Sequence, residues 1–120
     1  MDRVYIISRY RAETKKEQAF NIAVARYFCR MIIEECKVPV ASHLYYTQFL
    51  DDEIPEDREA GLGLGIWELR NCKEFLLVVI DGKVSEGMRG EIEEAARLGL
   101  YGRIVSMTEQ EIKDAMKVIK

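Results

Sequence analysis

Histidine, proline and cysteine are scarce in this chain, and each scarcity closes a route. The one histidine, His43, cannot anchor a histidine-rich metal set. The three cysteines, Cys29, Cys36 and Cys72, are odd in number and lack metal-ligand spacing. This usage fits a reduced, cytoplasmic chain with cysteines in or near the core and no metal. No apolar run approaches the roughly 18 residues of a membrane span. The opening Met1-Asp2-Arg3-Val4-Tyr5 lacks the basic-then-apolar order of a signal peptide. Basic excess is missing as well: 18 Lys+Arg stand against 21 Asp+Glu, a formal charge of −3. Duplex nucleic acid, which demands a basic face, is therefore not an expected partner, and neither is a membrane. What is present is 48% apolar residues in 120. That suits one core and one domain over residues 1–120.

Hydrophobic patterning predicts alternating strands and helices. Residues 3–8 form a β-branched and aromatic run, the mark of a buried strand. Thr14-Lys15-Lys16-Glu17 is a capping box, in which each outer side chain can satisfy an amide at a helix start. Phe20, Val24, Tyr27, Phe28, Met31 and Ile32 then recur at helical spacing, predicting a helix to about Cys36. Residues 38–42 read as a second strand, and Pro39, with no N–H to donate, places it at a sheet edge. A polar and aromatic loop is expected from His43 to about Ile54. Pro55, Glu56 and Asp57 open a helix running to about Asn71. The most apolar run, 75–80, predicts a central parallel strand buried on both faces. Ser85 to Leu98 is a helix closed by Gly99, residues 103–106 a fourth strand, and Thr108 to Glu111 the cap of a last helix. The expected fold is α/β: a doubly wound, flavodoxin-like or Rossmann-like three-layer sandwich with about four parallel strands in the order 2-1-3-4. Such sheets bind ligands beyond the strand carboxyl ends, where the order reverses. That directs attention to Ser8–Arg11, His43–Asp52 and Asp81–Glu91.

Two carboxylates stand out there. Asp81 ends the central strand and Glu91 follows in the second turn of the next helix, so both can reach one crevice. Near a sugar, one carboxylate can attack the anomeric carbon while the other handles a proton or hydroxyl. The plainer reading makes Asp81 a turn residue and Glu91 one of the solvated acids beside Glu93 and Glu94. Ser85-Glu86-Gly87-Met88-Arg89-Gly90 opens the same helix. Its amides can receive an anion, and Gly87 and Gly90 permit close approach, although a simple serine N-cap explains the serine equally well. Arg9 and Arg11 flank Tyr10 after the first strand and suit a phosphate and a base, or simply solvent. His43 is a candidate ligand contact or a hydrogen-bonded structural residue. Gly61-Leu62-Gly63-Leu64-Gly65 follows no strand and lies within a helical pattern, so it is not a phosphate loop. Three glycines there cost about 1 kcal/mol each in helix stability, which a close helix contact, within the chain or with another subunit, would explain.

Together these residues resemble the nucleoside 2-deoxyribosyltransferase superfamily. The resemblance lies in Tyr5-Ile6-Ile7-Ser8 on the first strand, Asp81-Gly82 ending the third, and Ser85 through Glu91 followed by Ala95. It implies that Glu91 is the nucleophile, Asp81 the strand-end aspartate and Tyr5 the first-strand tyrosine. Arg11 would be the loop arginine of nucleotide-cleaving relatives. His43 through Asp52, with Pro55 and Gly61–Gly65, is similar to a narrower family of short, uncharacterised phage and bacterial proteins. The chain departs from the superfamily at Ser85, Glu86, Gly87 and Met88, where an Asp usually precedes Ser-Gly-Thr. Near Ser8 and Arg9 a glycine is replaced. The first change removes a carboxylate that would orient sugar or base.

Two functions follow. One is cleavage or transfer at the N-glycosidic bond of a nucleoside or nucleotide, with Asp81 and Glu91 catalytic and no cofactor. Ligand contacts would come from Tyr5, Ser8, Arg9, Arg11, His43, Ser85, Gly87 and Met88. The other is a non-catalytic nucleotide-binding protein that senses or sequesters its ligand in the same crevice. Self-association is expected in either case, through Tyr45, Tyr46, Phe49 and the glycine-bearing helix.

Overall fold

The computed structural model describes residues 1–118. Four strands alternate with helices: β1 (Arg3–Ile7), α1 (Lys15–Glu34), β2 (Val38–Val40), α2 (Ser42–Tyr45), α3 (Pro55–Arg70), β3 (Glu74–Ile80), α4 (Glu86–Leu98), β4 (Tyr101–Met107) and α5 (Glu109–Val118). The sheet order is β2-β1-β3-β4 with every pairing parallel. This is the α/β, doubly wound arrangement expected from the alternation of patterns.

Side-chain alternation along the strands sorts the core into two layers. Val4, Ile6, Leu76, Val78 and Ile80 meet Val24, Phe28 and Ile32 of α1 and Ile112 of α5. Tyr5, Ile7 and Leu77 point the other way and pack with Leu69 of α3 and Met88 and Ala95 of α4. The register sets Tyr5 beside Phe75. Tyr5 is therefore the large polar-tipped residue that the central sheet delivers to the α3–α4 layer.

The helices stop and start for local reasons. Thr14 Oγ1 accepts from Glu17 N–H, Pro55 occupies the first turn of α3, and Gly99 closes α4 in a left-handed conformation at φ 69°. Three expectations need correction. β2 ends at Val40, because Ser42 already begins α2. The supposed loop after His43 holds that short helix and a 3-10 turn over Tyr46–Gln48. Cys36 lies beyond α1 at φ 62° and is exposed, whereas Cys72 is buried and Cys29 half-buried.

Candidate active site

The sheet, α3 and α4 converge on one polar contact. Tyr5, 1% exposed, directs its hydroxyl to Glu91 Oε2, to which it donates a hydrogen bond. Glu91 reaches this position because Ser85 caps α4, its Oγ accepting from Met88 N–H at 3.2 Å, while Met88 anchors the first turn in the core. A further tie comes from Glu94, one turn on. Its carboxylate accepts from Arg70 of α3 at 2.7 Å and from Arg97 at 2.6 Å. Hydrogen bonds from Arg97 and then Arg70 hold Glu94 well below the usual carboxylate range. Of the neighbouring acids, Glu94 is thus ion-paired and Glu93 solvated, while Glu91 turns inward.

Burial pushes the Glu91 carboxyl up to about 7, and the Tyr5 hydrogen bond pulls against that rise by favouring the ionised form. The Tyr5 phenol is pushed far upward, first by burial and then by the Glu91 charge, so it stays a donor. Oε1 of Glu91 accepts no hydrogen bond among the described residues.

Two groups that sequence reasoning missed complete the contact. Gly65 of α3 lies so close that a Cβ there would sit 3.2 Å from the Tyr5 hydroxyl oxygen and 3.6 Å from Glu91 Oε2. Ser42, buried at the start of α2, flanks the same point and approaches the Tyr5 phenol without completing a hydrogen bond. The available signal was the spacing of Gly61, Gly65 and Leu69, one face of one helix.

The loop after β1 carries several of the other predicted site residues. Ser8 is 5% exposed, and its Oγ has no partner among the described residues; the same holds for Ser42 Oγ and His43 Nε2. Buried polar atoms usually find partners, and these three follow the carboxyl ends of β1 and β2 in the chain. Burial lowers His43 to about 4, so it is neutral at physiological pH, and its ring lies 5.2 Å from that of Tyr10. Arg9 Nε donates to Asn21 Oδ1 at 3.3 Å, and Asn21 Nδ2 donates to the Tyr10 carbonyl at 3.1 Å. Asn21, a polar residue on the buried face of α1, thereby fixes the loop, and its place among apolar neighbours was the clue. Arg11 is more exposed and lies 3.7 Å from Asp52, which also pairs with Arg58 at 3.1 Å.

Other predicted site residues fall elsewhere. Asp81 is exposed at φ 54°, and its Oδ1 accepts from Glu109 N–H at 3.1 Å, so this carboxylate serves the start of α5. The sharp turn at Asp81-Gly82 aims it there rather than at Glu91. Met88 is 2% exposed within the core and offers a ligand no free surface. A Cβ at Gly87 would meet nothing within 4 Å, so no close contact within the chain explains that glycine. Two open grooves, of 610 Å³ along α1 near Met116 and 330 Å³ beneath β2, are not lined by Glu91, Tyr5 or Ser8. The groove beneath β2 does reach Ser42 of the polar cluster. Among the described residues, no three His, Cys, Asp or Glu side chains are grouped to hold a metal ion. No helix among them is long and apolar enough to cross a membrane.

Comparison with known proteins gives the fold a relative. The chain resembles a solved 2-deoxyribosyltransferase from the psychrotolerant bacterium Bacillus psychrosaccharolyticus, with a TM-score of 0.67 at 13% identity. The match covers 87% of this chain and 72% of that one. At that identity the likeness speaks for the fold. No curated protein matches the sequence. Residues 2–105 match a family described as "Domain of unknown function (DUF7768)".

Proposed function

This chain belongs to the DUF7768 family, whose description names no activity, and from its site we propose that it breaks or exchanges the N-glycosidic bond of a nucleoside or nucleotide. Glu91 is the nucleophile. The observation that carries this reading is the inward-facing Glu91, held by Tyr5 through one oxygen while the other stays free. In the proposed reaction Oε1 attacks C1′ as the C1′–N bond breaks, and the base leaves with that electron pair and takes up a proton. The transition state is oxocarbenium-like, and the Glu91 charge so close to C1′ stabilises it more than it stabilises the bound substrate. Water, or a second base, then attacks C1′ and frees Glu91. Ser8, Ser42 and His43 offer hydrogen bonds to sugar or base, Tyr10 offers a ring face, and Arg9 and Arg11 favour a phosphorylated substrate. The similar fold of a named 2-deoxyribosyltransferase supports a nucleoside as the class of substrate.

One observation favours a second reading. Asp81 is engaged with α5, so the second carboxylate that sugar chemistry commonly uses is not beside Glu91. A nucleotide-binding protein without turnover would need none. A panel of nucleosides and 5′-nucleotides, with released base resolved by chromatography for the native chain and Glu91→Gln, separates the two. Base release that falls by orders of magnitude in the variant supports the enzyme. Binding without release in either form supports the binder.

A further inference from the structure

We propose that Gly65 is a positioning residue: by bringing no side chain to its place in α3, it lets that helix close on the Tyr5 hydroxyl and the Glu91 carboxylate and holds them in their hydrogen bond. The inference takes its catalytic meaning from the reading of Glu91 as the reacting carboxylate, but its geometry stands apart from that reading.

Glycine inside a helix is unfavourable by about 1 kcal/mol relative to alanine. α3 carries three of them, at 61, 63 and 65, and they meet very different surroundings. A Cβ at Gly63 would meet nothing within 4 Å, and one at Gly61 would touch Leu50 Cδ1 at 3.7 Å, an ordinary contact. Only at Gly65 would the new carbon meet polar atoms: the Tyr5 hydroxyl at 3.2 Å and Glu91 Oε2 at 3.6 Å, with Ser42 Cβ at 3.9 Å. Of the three, Gly65 alone is fully buried.

The contact at 3.2 Å has to be relieved by something moving, and the phenol is the least free to do so. Its ring rises from β1, between β2 and β3, packed among Ile7, Leu69, Leu77 and Met88. Where the Glu91 carboxylate shifts instead, the Tyr5–Glu91 hydrogen bond lengthens, because that bond joins β1 to α4. Of the groups recorded around Glu91, Tyr5 from β1 is the one that titrates; Gly65 and Ser42 bring no charge. With the carboxylate still buried, loss of the Tyr5 bond moves the ionisation of Glu91 upward, because that bond favours the carboxylate.

The test is a pH titration of carbon-13-labelled glutamate carboxyls by NMR on the whole chain, for the native protein, Gly61→Ala, Gly63→Ala and Gly65→Ala. Gly65→Ala is expected to raise the Glu91 midpoint by about one to two pH units, the worth of a hydrogen bond to a charged group. The other two variants are expected to titrate like the native chain. An unchanged midpoint in Gly65→Ala, or an equal shift in Gly63→Ala, overturns the proposal. Should Gly65→Ala fail to fold, Tyr5→Phe/Gly65→Ala removes the very oxygen that the new carbon meets. That double variant is expected to fold with a Glu91 midpoint equal to that of Tyr5→Phe, and its failure to fold counts against the proposal. If the native chain releases no base while the titrations behave as described, the glycosidic reading falls and the role of Gly65 stands.

Discussion

Tyr5 and Glu91 lie 86 residues apart in sequence, yet the phenol of the first strand donates its proton to the carboxylate of the fourth helix. The contact joins sheet to helix layer and opposes the rise that burial imposes on Glu91.

One consequence is a stability that depends on pH through Glu91. Its native value of about 7 exceeds the ordinary 4.5, so between these values the folded chain binds more protons than the unfolded one. Stability from this group is complete below pH 4.5 and is lost as pH rises through 7, by about 3 kcal/mol in total. Glu91→Gln, which cannot ionise, should match the native chain near pH 4 and be more stable by up to that amount at pH 8. Denaturant melts at the two values check this. A variant less stable than native at pH 8 contradicts the burial argument.

Asp81 should behave as a structural residue. Asp81→Ala removes the acceptor for Glu109 N–H and puts a Cβ-bearing residue without a local hydrogen bond at φ 54°. The expected loss is about 1–2 kcal/mol. Base release per folded molecule should fall far less than in Glu91→Gln. Equal losses of turnover in the two variants would return Asp81 to the chemistry.

Gly102 is required for packing. A Cβ there would run into the Phe75 ring, which rests across β4. Gly102→Ala forces the ring away and should cost about 1–3 kcal/mol in thermal or chemical melts. Replacing Phe75 with leucine in the same chain should recover part of that loss.

Much of this fold was legible in the sequence, and the reasons are physical. The 75–80 run, Pro39 and the cap residues Thr14, Ser85 and Gly99 each state a local preference that the tertiary structure leaves in force. Strand order directed attention to Ser8, His43 and Glu91, and the family resemblance added Tyr5, which the structure joins to Glu91. The glycines of α3 signalled a close helix contact, but their spacing does not say which atoms, those of Tyr5, Glu91 and Ser42, come close to Gly65. Asp81 and Met88 were misread for a related reason. A strand-end aspartate can face either neighbouring loop, and a helix-start methionine can face either ligand or core.

Self-association is expected from what the α2–α3 face leaves uncovered. Tyr45 and Phe49 stack edge to face 5.1 Å apart and remain 56% and 66% exposed, and Trp67 of α3 is 58% exposed. Light scattering at micromolar concentration should report a mass above that of one chain, and Phe49→Glu with Trp67→Glu should reduce it. A native chain that is strictly monomeric contradicts this expectation.

The central claim is that Glu91 forms a bond to the sugar, and mass spectrometry of protein quenched during turnover tests it most directly. With a substrate identified by base release, a glycosyl adduct is expected on the peptide that carries Glu91, and none in Glu91→Gln. Base release with no adduct on Glu91, or with the adduct on another residue, would contradict the account.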